Sequence, residues 1–97
     1  MESVKRVEVV VDSVEARRVT EALDRVGVSG YTVIPTVSGH GERGLRDGGG
    51  VSGVFENSYV LTTCPPEQLQ RVIEAIRPLL QETGGICLVS DAQWVRH

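Results

Sequence analysis

Aromatic residues are scarce in this chain, where one Phe, one Trp and two Tyr make up 4% of the 97 residues. An RNA-recognition domain displays aromatic side chains on its central strands, so the composition disfavours that class. Lysine is scarcer still: Lys5 stands alone beside nine arginines, and the formal net charge is -3. Because a general nucleic-acid binder needs a net basic face, we expect no nucleic-acid partner.

Cysteine and long apolar runs are also in short supply. Cys64 and Cys87 are far apart in the sequence, and two cysteines do not make a disulfide framework. No apolar run approaches the length of a membrane span, and no charged segment precedes an apolar stretch at the N-terminus. We therefore expect a cytoplasmic protein, with residues 1–97 forming a single domain.

Two kinds of apolar spacing predict the elements of the fold. Val7, Val9 and Val11 alternate with polar residues as in a strand, whereas the apolar residues of 19–26 recur at helical spacing. The full prediction is strand 4–11, helix 13–26, strand 31–38, strand 54–63, a helix from Pro66, and strand 86–90. The order β-α-β-β-α-β predicts an α+β, ferredoxin-like fold: a four-stranded antiparallel sheet with two helices on one face.

Several residues mark element boundaries. Asp12 begins a capping-box pattern at the start of the first helix, with Ser13 as a rival cap, and Gly27 is typical of a left-handed helix end. Pro35 lacks an amide hydrogen, so it predicts an edge strand or a bulge. Pro78 lies inside the second apolar stripe and predicts a kink or an early helix end near Arg77.

The helix-free face of such a sheet must be polar or covered. The first and last strands carry apolar residues at both parities, so their second face is not polar throughout. We therefore expect a homo-oligomer that buries this face.

The segment 39–53, GHGERGLRDGGGVSG, is the most distinctive part of the chain, with seven glycines among fifteen residues. Its start matches the dinucleotide pattern G-x-G-x-x-G, but the glycines that follow forbid the helix which that motif requires. Arg43 and Arg46 instead place fixed positive charge among flexible backbone. This mixture favours a loop that binds an anion.

Catalytic and metal-binding signals are weak. His40, His97, Cys64 and Cys87 show no ligand spacing, and neither cysteine has the surroundings of a nucleophile. An acylphosphatase would carry an arginine in the turn after its first strand, whereas residues 12–15 make that turn acidic. We expect neither a metal nor an enzyme activity.

Three segments of the sequence resemble PII-type signalling proteins. They are 22–33 (ALDRVGVSGYTV), 72–76 (VIEAI), and the loop pattern Gly39-x-Gly41-x-Arg43-x-x-Arg46-x-x-Gly49. The loop pattern is similar to the PII-like branch linked to bicarbonate transport and carboxysomes. The similarity spans nearly the whole chain.

The resemblance implies a homotrimer that binds adenine nucleotides in clefts between subunits. Residues near the base would come from the second and third strands, phosphate contacts from the glycine-rich segments, and one arginine from a neighbouring subunit. By matching position, the implied nucleotide-binding residues are Thr32, Val33, Gly39, Gly41, Arg43, Arg46, Thr63, Gly84, Gly85, Ile86 and Arg96.

The sequence also departs from the nitrogen-sensing members of that family. Its second glycine turn, Gly84-Gly85-Ile86, lacks their lysine, so AMP, ADP or cyclic AMP is favoured over ATP. The loop 39–53 has no tyrosine to uridylylate and lacks the glutamine that supports 2-oxoglutarate. The implied role is sensing of energy and inorganic carbon, with bicarbonate as a second ligand and a bicarbonate transporter or carboxysome-related protein as partner.

Two other functions remain open at this stage. One is a metal- or small-ligand-binding module on the same fold, for which His40 and His97 are the distinctive side chains. The other is a structural trimer without nucleotide, in which the loop 39–53 is a spacer.

Overall fold

The predicted β-α-β-β-α-β order is confirmed by the computed structural model, which describes residues 1–37 and 56–97. Short 3-10 turns precede both helices, at Ser13–Glu15 and Pro66–Gln68. The elements are β1 (Glu2–Asp12), α1 (Ala16–Val26), β2 (Tyr31–Val37), β3 (Asn57–Cys64), α2 (Leu69–Thr83) and β4 (Ile86–Trp94).

The four strands form one antiparallel sheet in the order β2-β3-β1-β4. One end of the sheet, here called the loop end, contains Asp12, Val37, Asn57 and Ile86, next to the point where the chain enters and leaves 38–55. The opposite end, here called the tail end, contains Glu2, Tyr31, Cys64 and Trp94. Two of the predicted site elements lie at these ends, the glycine turn 84–86 at the loop end and Arg96 beyond the tail end.

Both helices cover the same face of the sheet. The odd-numbered valines of β1 point to this face, which is why strict alternation was readable in the sequence. Each large apolar side chain removed from water there contributes about 1.5 to 3 kcal/mol. The core consists of Val7, Val9, Val11, Val60 and Cys64 from the sheet, and Val19, Ala22, Leu23, Val72, Ile76 and Leu79 from the helices.

Asp12 is a cap and Gly27 a helix end, as predicted, but the predicted capping box is not formed, because the Glu15 carboxylate accepts from Arg18 instead. The Asp12 carboxylate accepts a hydrogen bond from the Val14 amide at 3.1 Å, so Asp12 is the cap, but it caps a 3-10 turn that leads into α1. Ser13 lies 2.9 Å from the Ser58 hydroxyl and is not the cap. Gly27 ends α1 with φ of 88°, in the left-handed conformation predicted for it.

Pro35 has the predicted effect, since β2 is an edge strand and its pairing with β3 shifts between Ile34 and Val37. The early end predicted at Pro78 is wrong, because α2 continues to Thr83. The last turn holds because Leu79, beyond the proline, packs into the core.

Several strand boundaries also differ from prediction, and β1 runs from Glu2 to Asp12 where 4–11 was predicted. The last strand is longer than 86–90, because β4 pairs with β1 as far as the Glu2–Trp94 partners. β3 begins at Asn57, and the predicted start at 54 lies outside the described residues. Within 1–37 and 56–97, no helix is long and apolar enough to cross a membrane.

Candidate functional site

Seven of the predicted nucleotide-binding residues lie in the described part of the chain. Gly39, Gly41, Arg43 and Arg46 lie outside it, as does the whole glycine-rich segment 39–53. Of the remaining residues, the glycine turn 84–86 lies at the loop end and Arg96 lies beyond the tail end. Thr32, Val33 and Thr63 lie on the strands between the two ends.

The second glycine turn lies at the loop end. Gly84 and Gly85 have φ values of 82° and 115°, which side chains other than glycine rarely adopt. A Cβ atom on Gly85 would lie 2.7 Å from the Val10 carbonyl oxygen, so the turn packs directly on β1. Ile86 follows opposite Val10 and is 53% exposed. The turn therefore presents backbone, and one apolar side chain, to anything that approaches this end.

Thr32 and Thr63 share the face of the sheet that carries no helix, here called the open face. Thr32 pairs with Leu61, and Thr63 lies two residues further along β3, opposite Arg6. Val33 pairs with Val60 and therefore points to the helix side, where its edge position leaves it exposed. The structure thus places Thr32 of β2 and Thr63 of β3 on the open face. Val33 of β2 lies on the opposite face, which the helices cover.

Arg96 lies just beyond the tail end and is engaged within its own chain. Its Nε donates to Glu2 Oε1 at 2.7 Å, and its Nη2 donates to the same oxygen. The guanidinium carbon also lies 5.0 Å from the centroid of the Trp94 ring, in cation–π range. The sequence pointed to Arg96 as a ligand residue, but it did not reveal these two partners.

The glycine turn and Arg96 do not meet within one chain. Ile86 is opposite Val10, whereas the partner of Arg96 is Glu2, eight positions earlier on the same strand. At the rise of a β-strand this separates the glycine turn from Arg96 by roughly 25 to 30 Å. A single ligand can touch both groups only if they come from two copies of the chain.

A polar network in the middle of the open face was missed by the sequence reasoning. The Tyr59 hydroxyl donates to Glu8 Oε2 at 2.6 Å, and Arg6 Nε lies 3.4 Å from Glu8 Oε1. Arg6 Nε also donates to Ser90 Oγ at 3.2 Å. A signal did exist, because Arg6 and Glu8 are two positions apart and so had to share a face.

Apolar side chains flank this network on the open face. Ile34, Ile86 and Leu88 are 47%, 53% and 59% exposed, and they belong to the two edge strands. Leu61 and Val10 lie between them on the central strands and are half-buried. The open face thus exposes large apolar side chains together with a hydrogen-bonded polar network, a combination that suits a contact with another protein surface.

Neither cysteine has the properties of a nucleophile. Burial raises the pKa of the Cys64 thiol, with a smaller contribution from nearby Glu67, and burial alone raises the pKa of Cys87. Both therefore favour the neutral thiol. In the part of the chain that the structure describes, no three His, Cys, Asp or Glu side chains are grouped as metal ligands; His40 lies outside that part.

Comparison with protein families places nearly the whole chain in a known family. The family model described as nitrogen regulatory protein P-II matches residues 4–97, which is nearly the whole chain. Comparison with curated protein sequences gives no significant match.

Solved structures of similar shape include CPII from Thiomonas intermedia K12, a nitrogen regulatory PII-like protein. Its complex with ADP, AMP and bicarbonate aligns with a TM-score of 0.81 at 25% identity, covering 98% of this chain and 96% of that one. Its complex with ADP and bicarbonate aligns at 0.80 and 26% identity, covering 97% and 90%. A PII-like signalling protein from Thermus thermophilus aligns at 0.76 and 26% identity, covering 97% and 91%.

Proposed function

The chain belongs to the nitrogen regulatory protein P-II family, and from this premise we propose that it is a cytoplasmic, non-enzymatic sensor of adenine nucleotides. It assembles as a homotrimer and binds AMP or ADP in the clefts between subunits. Ligand in the cleft changes the conformation of the loop 39–53, which then engages or releases a partner protein. Bicarbonate is the second ligand.

The observation that carries this proposal is the full-length likeness to CPII. Two CPII complexes that contain ADP and bicarbonate, one of them with AMP as well, align over 97% to 98% of this chain. The likeness extends through both ends of the sheet, where the predicted ligand residues lie. It therefore favours adenine nucleotide and bicarbonate over a metal ion as the ligands of this chain.

The division of the predicted site supports a cleft between subunits. Gly85 lies at the loop end and Arg96 beyond the tail end, roughly 25 to 30 Å apart along β1. Two copies that meet loop end to tail end would bring a glycine turn and an arginine to the same ligand. The exposed apolar side chains of the open face provide the contact area that such an assembly needs.

The glycine turn favours a short phosphate chain. Its residues Gly84, Gly85 and Ile86 offer backbone amides but no cationic side chain. Backbone amides in a concave turn can bind one or two phosphate groups, whereas a third adds negative charge that nothing in the turn neutralises. AMP, ADP or cyclic AMP is therefore the proposed ligand in preference to ATP.

The loop 39–53 supplies the regulatory half of the proposal. Arg43 and Arg46 are its fixed positive charges, and its glycines allow close approach to a small anion. We assign bicarbonate to this region, and we assign a bicarbonate transporter or a carboxysome-related protein as the partner. The protein would thereby report energy and inorganic-carbon status together.

Calorimetric titration tests nucleotide binding directly. AMP, ADP, cyclic AMP and ATP are titrated into the purified full chain, and its mass is measured by light scattering on a sizing column. We expect a trimer, with AMP, ADP or cyclic AMP bound more tightly than ATP. Absence of heat with every nucleotide, or a monomer that binds nucleotide fully, contradicts the proposal.

Arginine variants test the loop. Arg46→Ala should weaken ADP binding by about tenfold, since it removes a charge-assisted phosphate contact. Arg17→Ala is the matched control, because Arg17 is an exposed residue of α1 that pairs with Glu21 on its own helix. Equal affinities in the two variants would remove Arg46 from the site.

Bicarbonate coupling needs a separate titration. ADP affinity is measured at several bicarbonate concentrations, with chloride adjusted to hold ionic strength constant and acetate as a control anion. We expect affinity to change with bicarbonate beyond any change with acetate, because linked ligands shift each other's binding. An ADP affinity independent of bicarbonate excludes this part of the proposal.

A further inference from the structure

Three side chains at the tail end form a compact unit, here called the tail clasp: Glu2 and Trp94 on the last strand pair, and Arg96 just beyond it. Glu2 and Trp94 are partners across the β1–β4 pair, so the backbone register fixes their proximity. Arg96 donates from Nε and Nη2 to Glu2 Oε1, while its guanidinium lies 5.0 Å from the Trp94 ring centroid. The arginine thus has one aromatic and one anionic partner.

We propose that Glu2 is an internal competitor for Arg96 and lowers the affinity of the nucleotide site. In the free protein its carboxylate occupies the guanidinium donors, and in the complex a phosphate oxygen of the ligand replaces it. This inference rests on the proposed function, in which Arg96 reaches a nucleotide bound by a neighbouring subunit. It adds a residue that sets the affinity of that site.

The donor geometry of Arg96 supports competition. Nε and Nη2 form the fork with which arginine grips a carboxylate or a phosphate. In the tail clasp both point to a single oxygen of Glu2, so this edge of the guanidinium is already occupied. A ligand phosphate that binds the same edge must displace the carboxylate.

The exposure of the pair makes exchange feasible. The side chains of Arg96 and Glu2 are 62% and 46% exposed, so the ligand need not open the core to separate them. Trp94 can keep its contact with the guanidinium while the anion changes. The ring contacts the face of the guanidinium, whereas the anion binds the N–H donors along its edge. The exchange then replaces one anion with another at an arginine that stays in place.

The size of the effect follows from the exposure. Exposed ion pairs are weak, so removing Glu2 should tighten nucleotide binding by about two- to fivefold. Arg96→Ala should have the opposite effect and weaken binding by about tenfold or more, because a charge-assisted phosphate contact is lost. Opposite signs for two partners of one ion pair are the signature of competition.

The second ion pair between β1 and β4 provides a matched control. Lys5 Nζ lies 2.5 Å from Asp91 Oδ1. Lys5 and Asp91 are opposite each other in the β1–β4 pair, as Glu2 and Trp94 are. Asp91→Asn and Glu2→Gln each remove one negative charge from the same strand pair. Any effect of net charge alone is therefore equal in the two variants.

The experiment is calorimetric titration of ADP into the wild-type chain, Glu2→Gln, Asp91→Asn and Arg96→Ala, with folding checked by circular dichroism. We expect Glu2→Gln to bind about two- to fivefold more tightly than Asp91→Asn. Equal affinity in these two variants overturns competition while leaving the proposed function intact. No ADP binding by the wild-type chain refutes the proposed function itself.

Fluorescence gives a second readout, because Trp94 is the one tryptophan of the sequence. ADP should change its emission in the wild-type chain as the charge next to the indole is exchanged. Glu2→Gln should reach the same end point at a lower ADP concentration, and Arg96→Ala should lose the change. If ADP leaves Trp94 emission unchanged in a wild-type chain that binds ADP by calorimetry, the nucleotide does not reach the tail clasp and the inference is wrong.

Discussion

Tyr59 and Glu8 are joined by a hydrogen bond of 2.6 Å across the β1–β3 pair, from the phenolic hydroxyl to the carboxylate. They lie on the open face, diagonally placed, since Tyr59 is opposite Val10 and Glu8 is opposite Leu61. The pair gives the Glu8 carboxylate a hydrogen-bond donor in the middle of a face that also carries exposed apolar side chains. Its consequences can be tested without knowledge of the ligand.

Tyr59→Phe should weaken assembly if the open face is buried in the proposed trimer. The variant leaves Glu8 without its phenolic donor in a desolvated contact, at a cost of about 1 to 2 kcal/mol for each copy. Sedimentation across a dilution series should show dissociation at a higher concentration than in the wild-type chain.

Tyr31→Phe is the control for that experiment. Tyr31 also donates to a carboxylate, that of Asp24, at 3.3 Å, but Asp24 belongs to α1 and Tyr31 points to the helix side. Its removal should leave assembly unchanged. If the two variants dissociate over the same concentration range, the Tyr59–Glu8 pair is not part of the contact.

The pKa of Tyr59 gives a prediction for alkaline pH. The hydrogen bond to Glu8 is the main cause that raises this pKa above its ordinary value of 10.0, and burial adds to it. A raised pKa in the folded chain means that the neutral phenol is stabilised by folding. This stabilisation is fully present below about pH 10 and is lost as pH rises through the folded-state pKa.

Ultraviolet titration of tyrosinate in Tyr31→Phe isolates Tyr59, because the sequence has two tyrosines. The midpoint should lie above pH 10.0. Adding Glu8→Gln should lower the midpoint, since it removes the carboxylate that accepts the hydrogen bond of the neutral phenol. An unchanged midpoint would show that Glu8 is not the cause.

Gly85→Ala should destabilise the fold by about 2 to 4 kcal/mol. The residue has φ of 115°, and a Cβ atom would lie 2.7 Å from the Val10 carbonyl oxygen, which is backbone and cannot rotate away. Gly30→Ala is the control, because nothing lies within 4 Å of its Cβ position. Urea unfolding of both variants measures the difference, and similar midpoints would contradict the predicted strain.

The two thiols should react slowly and at different rates. Burial raises the pKa of both, so at pH 8 each carries less thiolate than a free cysteine, and Cys64 is only 2% exposed. A disulfide reagent should modify half-buried Cys87 first, and Cys87→Ser should leave only the slower phase. A faster Cys64 would mean that β3 opens before β4.

The features of the fold that could be predicted from the sequence are those set by single residues or short segments. Gly27 and Pro35 act through their own backbone, so their effects on the end of α1 and on the pairing of β2 needed no tertiary information. Of the two effects predicted for Pro78, the early helix end is wrong because Leu79, beyond the proline, packs into the core. The length of β4 depended in the same way on a partner strand far away in sequence.

In the candidate site, too, contacts between residues far apart in the sequence could not be predicted. Arg96 was proposed through the resemblance to PII-type proteins, but its partner Glu2 is 94 residues away and no local pattern joins them. The Tyr59–Glu8 bond spans 51 residues and was equally hidden. Pairings of this kind are set by strand register, which the sequence specifies only through the complete sheet.

The separation of Gly85 from Arg96 ties the proposed ligand affinity to the amount of protein present. A cleft that takes its two halves from different copies exists only in assembled molecules, so mass action applies to the receptor as well as to the ligand. In the proposed trimer, dilution would remove binding sites, and nucleotide would in turn draw dispersed chains together. A cell could thus change its response to the same nucleotide level by changing how much of this protein it makes.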